Sequence, residues 1–376
     1  MKRHQHTSDS SVNRRDLLHS IGTGLTTATV GASAGDLGWT MDSDNNNVEI
    51  VTHVHDGHPV KTRTVPSQWY RQKQRAEKVK DQLFDRYRNV PGILGVGLTA
   101  GKSAIGGLRY FNVEVIINDW TGTETSIPES VEDIPVTTYH RGPLQDAGGC
   151  ELNNPCYRND YDPIPGGVHI ESAVVNNSSS CCRVRKDGQE FLMAARHSFI
   201  DDDNNRDSCS TRKILYAEAQ QNGDYYGYVV EEYPKYDTVL TELDTDGNRS
   251  GLSGAIIGES GLPFGHISKD GVDNMISDSN SETVYKQGVN HCEGSGQVES
   301  REDNYCSSII RKELVRTTVE FGNGDSGGPI YDVQSVNIDD HLFMIHIATQ
   351  WPPSGCDSGY GSGFYAINND YSVEYE

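Results

Sequence analysis

From Val168 to the C-terminus, short apolar runs alternate with polar turns, and no long helical period interrupts them. Phe191 to Ala195, Tyr226 to Val230, Asp237 to Leu240, Gly254 to Ile257, Val315 to Val319 and Phe343 to Ala348 are such runs. Short strands at this spacing predict a sandwich or a barrel. The stretch 168–376 is long enough for two six-stranded antiparallel barrels. Upstream the pattern differs. Ser67 to Tyr87 is dense in helix formers, starts after Pro66 and stops before Pro91, which predicts a helix. Leu94 to Leu98, Ile134 to Tyr139 and Tyr110 to Ile117, where Phe111, Val113, Val115 and Ile117 alternate, predict strands. Together these predict a small α+β domain over 67–142, then a turn-rich linker over 143–167. Ahead of it, 35–66 reads as a flexible, mostly polar leader in which Val48 to His53 forms a short strand.

Composition narrows the function. Lys and Arg total 32 against 54 Asp and Glu, a net charge of −22. Such an excess repels phosphates, so nucleic-acid partners are not expected. It suits a surface adapted to high salt, where self-repulsion is screened. No stretch of 18 or more apolar residues occurs, so no membrane span is expected. Residues 1–34 read as an export signal. Asn13-Arg14-Arg15-Asp16-Leu17-Leu18 precedes a weakly apolar stretch and the small-residue pattern Ala32-Ser33-Ala34, as in twin-arginine signals. An extracellular location follows as an expectation. All eight cysteines (150, 156, 181, 182, 209, 292, 306 and 356) lie beyond the signal, and no CxxC pair is present. An even count in an exported chain reads as disulfides, of unspecified pairing.

The chemistry is concentrated in three places. Gly324-Asp325-Ser326-Gly327-Gly328-Pro329 places a serine between glycines that let the backbone turn sharply. The amides of Gly324 and Ser326 are then candidates for an oxyanion hole around the Ser326 nucleophile. A serine hydroxyl needs a base. His197 supplies one, because it follows the apolar run Met193-Ala194-Ala195 that presents it at a strand end. The base needs an orienting carboxylate. Asp237 heads the apolar run Thr238-Val239-Leu240, where an unpaired acid would be costly.

These motifs, in the order His197, Asp237, Ser326, resemble the trypsin and chymotrypsin superfamily of serine proteases. Val284-Tyr285-Lys286-Gln287-Gly288 through Gly294-Ser295-Gly296-Gln297-Val298 is similar to the opening of the second barrel in streptogrisin-like enzymes. The resemblance implies a double six-stranded antiparallel β-barrel with the site in the cleft between barrels. It implies a secreted endopeptidase acting on protein or peptide substrates with no cofactor. It also implies that Glu320, six residues before Ser326, helps to form the substrate pocket, and that the strand Ile345 to Thr349 lines the substrate backbone through Ile347 and Thr349. The sequence departs from the family in three ways. Arg196 and Ser198 flank the histidine where alanine and cysteine are usual, so the neighbouring disulfide is expected to run from Cys181 or Cys182 to Cys209. No clear activation sequence precedes Val168. Asp325 is therefore expected to hold its loop through some cation other than a new N-terminus.

Lesser features carry plainer readings. His53, His55 and His58 near Asp56 suggest a polar strand and turn before a metal site. Asp244, Asp246 and Asn248 hint at a calcium loop, although Gly247 is misplaced for an EF-hand. Asn176, Asn177 and Asn248 begin glycosylation triplets. The basic helix from Arg71 to Arg88 is either a solvated face or a surface docked against the acidic remainder. Residues 35–142 are either a removable pro-region or a permanent accessory domain. Two other functions compete: an α/β-hydrolase with Ser326 on its nucleophile elbow, and a catalytically silent, protease-like binding module.

Overall fold

Alternating burial is clearest in the N-terminal strands. The computed structural model describes residues 47–144, 156–175, 177–200, 213–244, 249–280, 282–305, 309–336, 339–350, 352 and 356–375. The chain begins with β1 (Asn47–His55), β2 (His58–Pro66), α1 (Ser67–Tyr87), β3 (Ile93–Ile105), β4 (Leu108–Asn118), β5 (Ser130–Val131) and β6 (Ile134–Arg141). In β4, Phe111, Val113, Val115 and Ile117 are buried, as their alternation predicts. α1 coincides with the predicted helix and buries Trp69, Lys73, Ala76, Lys80, Leu83 and Tyr87 along one face. The stretch expected as a flexible leader contains an ordered hairpin, β1 with β2, closed at Asp56-Gly57. Both turn residues have positive φ, the conformation that an Asp-Gly hairpin turn favours.

A closed barrel follows. Its elements are β7 (Ile164–Gly166), β8 (His169–Ser172), β9 (Ser178–Lys186), β10 (Gln189–Ala195), β11 (Glu218–Gln221), β12 (Asp224–Tyr233), β13 (Thr238–Leu243) and β14 (Leu252–Ile256). The order β10-β13-β12-β11-β8-β9 closes through β9–β10 pairing, giving six antiparallel strands around Ile170, Leu192, Ala194, Val229 and Val239. β7 and β14 pair with each other alongside it.

The remainder comprises β15 (Leu262–Ile267), α2 (Lys269–Ser277), β16 (Val284–Gln287), β17 (Glu293–Gly296), β18 (Val298–Tyr305), β19 (Ile310–Thr317), β20 (Pro329–Val336), β21 (Asp339–Gln350), β22 (Gly359–Gly363), α3 (Phe364–Tyr371) and β23 (Glu374–Tyr375). Most of these strands join the N-terminal ones in a 14-stranded mixed sheet, whose main path runs β17-β16-β20-β21-β22-β19-β18-β3-β4-β6-β5, with β15 paired to β21 and followed by β1 and β2 off that path. The short helices α2 and α3 are absent from the strand pattern read in the sequence. α2 starts on Ser268, whose hydroxyl accepts the Gly271 amide at 2.9 Å.

The N-terminal elements are built into this sheet. β3 pairs with β18 from Gly95–Asn304 to Thr99–Ser300, and β1 pairs with β15 at Val54–His266. The basic helix docks on acids. Lys73 Nζ bonds Asp270 and lies 3.2 Å from Asp273, and Lys80 Nζ lies 2.9 Å from Asp303. No helix among the described residues is long and apolar enough to cross a membrane.

Candidate active site

His197 sits in the 3-10 turn Arg196–Phe199, directly after β10. Asp237 ends the 3-10 turn Pro234–Tyr236 and precedes β13, with φ +52 and ψ +41. β10 and β13 are neighbours in the barrel and pair at Ala195–Thr238, so the two residues emerge side by side. His197 Nδ1 lies 2.7 Å from Asp237 Oδ2, and the His197 amide donates to Asp237 Oδ1 at 3.1 Å. The Asp237 carbonyl also accepts the Arg196 amide at 2.8 Å. Burial works to raise the Asp237 pKa, but His197 and then Arg311, 3.5 Å away, outweigh it and hold the carboxyl below its ordinary range. This pair holds Nδ1, with Nε2 on the opposite side of the ring.

Ser326 lies in the turn between β19 and β20, and its residue is 2% exposed. Its carbonyl is held twice, by the Ser179 amide and the Ser178 hydroxyl, each at 2.7 Å. The Ser178 hydroxyl is also 2.5 Å from the Ser198 hydroxyl, one residue after His197. A Cβ built on Gly327 would come within 3.2 Å of the Ala195 nitrogen. The loop carrying Ser326 is thus stitched to the turn carrying His197. The Ser326 hydroxyl makes no hydrogen bond among the described residues. Gly324 and Gly327 have φ of +103° and +94°, values that exclude most side chains.

The neighbouring acid is anchored as well. Asp325 is fully buried and bonds Lys286 Nζ at 2.5 Å, which supplies the expected cation. It also accepts the amides of Gly322 and Asn290, each at 2.9 Å, and of His291 at 3.2 Å.

The residues proposed for substrate contact are spread more widely. Glu320 is exposed, its carboxylate 3.0 Å from His291 Nε2. Ile347 is buried in β21 and is paired to Pro329 and Ser362, and β20 reaches β21 no further than Ile347. Thr349 is buried, with its hydroxyl 3.4 Å from the Tyr360 carbonyl.

The expected bridge from Cys181 or Cys182 to Cys209 is not made. Both are free thiols packed inside β9, and burial pushes the Cys181 thiol up. In its place the Ser178–Ser198 hydroxyl pair ties the histidine turn to β9. Cys156 bridges to Cys292, and Cys356 is also disulfide-bonded. Cys150, Cys209 and Cys306 lie outside the described residues, as do Asp246 and Asn248 of the calcium reading and Asn176. The histidines at 53, 55 and 58 do not converge. His53 bonds Asp332 at 3.1 Å, and the His55 ring stacks on Phe264. Among the described residues no group of three or more His, Cys, Asp or Glu side chains is arranged to hold a metal. A cavity of about 820 Å³ lies away from the site, between α1 and the β3–β4 hairpin.

No family model matches the chain, and no curated protein matches it. Among solved structures it is similar to Thermobifida fusca Protease A (14% identity, TM-score 0.39, 56% of this chain and 97% of that one). It is also similar to Nocardiopsis protease (13%, 0.40, 57% and 100%) and to Cellulomonas bogoriensis chymotrypsin (15%, 0.40, 57% and 99%). The chemistry of the site rests on its own residues.

Proposed function

We propose that the protein is an exported serine endopeptidase with His197, Asp237 and Ser326 as its triad. The observation that carries this reading is the buried His197–Asp237 pair at the rim of a closed barrel, with the Ser326 loop tied to the same turn. In this mechanism His197 Nε2 takes the proton of the Ser326 hydroxyl as its oxygen attacks the peptide carbonyl carbon. The carbonyl π pair moves onto oxygen, where the amides of Gly324 and Ser326 stabilise it. Collapse expels the amine, which takes the proton back from His197, and an acyl-enzyme remains. Water, deprotonated by His197, attacks that ester, and collapse releases the acid as His197 returns the proton to the Ser326 oxygen. Asp237 fixes the tautomer and stabilises the imidazolium.

Two features support a double-barrel reading. β17 and β18 are separated only by Gln297, and they pair with β16 and β19 at the two ends of β16-β20-β21-β22-β19-β18. Treated as one bent strand, they make a ring of six. A substrate would add along β21 beyond Ala348, whose carbonyl and amide are held by Gly327 and Gly328, in the manner of an extra strand. The closed antiparallel barrel lacks the parallel sheet on which an α/β-hydrolase elbow is built.

The test is labelling by a fluorophosphonate in molar salt. Reaction at Ser326 that is lost in His197→Ala supports the enzyme. An unlabelled wild type that still binds peptides supports a silent binding module.

A further inference from the structure

We propose that Asn177 is a positioning residue that sets the oxyanion hole by holding the Asn323–Gly324 peptide in one of its two orientations. The inference rests on the reading of Ser326 as the nucleophile. Asn177 Nδ2 donates to the Asn323 carbonyl at 2.9 Å. A trans peptide is planar, with its N–H directed opposite its C=O. A carbonyl drawn toward Asn177 therefore turns the Gly324 N–H away from Asn177. A half-turn of that peptide would do the reverse: the carbonyl would occupy the hole and the amide would leave it. The Asp325–Ser326 peptide, which carries the other amide of the hole, needs no such clamp, because the Asp325 carbonyl already accepts the Gly328 amide at 2.8 Å.

The orientation of the Asn177 amide is itself fixed. Arg158 Nη2 lies 2.9 Å from Asn177 Oδ1, and a guanidinium only donates, so the oxygen must face it and the NH2 must face Asn323. Arg158 is tied to the same framework that holds Asp325. Its Nη2 is 3.2 Å from Asn290 Oδ1, and the Asn290 amide donates to Asp325. The Cys156–Cys292 bridge brackets this corner. Asn177 also packs on the Cα of Gly324, where a built Cβ would overlap its amide. The contact thus demands glycine at 324 as well as steering its peptide.

The test uses the full active protein and a peptide anilide. Asn177→Ala removes the donor, and Asn177→Asp keeps the shape but offers only acceptors. In both, kcat is expected to fall by about 10-fold to 10²-fold, approaching the loss of one oxyanion donor, while KM stays nearly constant. A peptidyl boronic acid, whose tetrahedral adduct puts an oxygen in the hole, should weaken in proportion to kcat. A product peptide should bind as before. A merely structural role would weaken both ligands together. If Asn177→Ala does not fold, Asn177→Asp decides. A wild type that labels while Asn177→Asp retains its kcat and boronate affinity overturns this inference alone. A wild type that neither labels nor turns over sinks the functional reading, and this one with it.

Discussion

The ammonium of Lys286 lies 2.5 Å from Oδ2 of Asp325, and neither side chain is exposed. Burial lowers the lysine pKa, and Asp325 works to raise it again. Together with three backbone amides the pair fixes the residue before Ser326 without any free chain terminus. Lys286→Met should leave a buried carboxylate unpaired and destabilise the protein by about 3–5 kcal/mol. The double variant Lys286→Met with Asp325→Asn should recover part of that loss. Urea unfolding of both reads this out. A single variant as stable as wild type would show that the pair does not hold the loop.

The candidate triad could be proposed from sequence because glycine-flanked Ser326 and strand-end His197 and Asp237 carry their chemistry in local sequence. The partners that position them were not. Lys286 stands in Val284-Tyr285-Lys286-Gln287, where a lysine reads as solvent-facing, yet β16 buries it. Asn177 reaches a carbonyl 146 residues away through one amide, which no local pattern announces. The α1 helix was read in full, but its buried lysines break the rule that a helix turns its apolar side inward. They do so because Asp273 and Asp303 wait beneath it. The β1–β2 hairpin was missed at its Asp56-Gly57 turn, a signal that stands in the sequence.

Asp237→Asn tests the carboxylate directly. The substitution keeps the shape but favours the wrong imidazole tautomer, so kcat should fall by about 10⁴-fold while the fold persists. Steady-state kinetics and circular dichroism check the two halves of this statement. Retained activity would remove Asp237 from the mechanism.

Docking of the N-terminal elements should depend on Lys80. Its Nζ is 2.9 Å from Asp303, which also accepts the Glu313 amide at 2.8 Å and lies 3.2 Å from Lys312. Lys80→Ala removes one of two cations from a buried acid. A loss approaching the roughly 3–5 kcal/mol of a broken buried pair is expected, reduced by what Lys312 retains. Hydrogen exchange should then rise in β3 and β18, which pair beneath the helix. Unchanged protection there would mean that strand pairing alone holds the unit.

Acid should unfold the protein through two histidines other than His197. Burial, with His53 adding to it, pushes His266 down to about 4, and burial pushes His346 down to about 3. The Ile347 backbone works to raise the His346 value, and burial outweighs it. Both rings are therefore neutral in the fold near pH 6, whereas the unfolded chain binds protons from its ordinary pKa of about 6.5 downward. The unfolded state then holds more protons, so stability is full above that pH and is lost as pH falls toward 4 and 3. Each ring contributes a slope of about 1.4 kcal/mol per pH unit within its window. Carboxylates titrate in the lower part of the same range, so the difference between variants is the informative quantity. His346→Leu keeps an apolar strand interior and removes one titrating ring. Urea unfolding between pH 7.5 and 4.5 should give it a shallower loss than wild type, by about one ring's slope. Parallel curves for the two proteins would mean that His346 is not held neutral and adds nothing to the acid sensitivity.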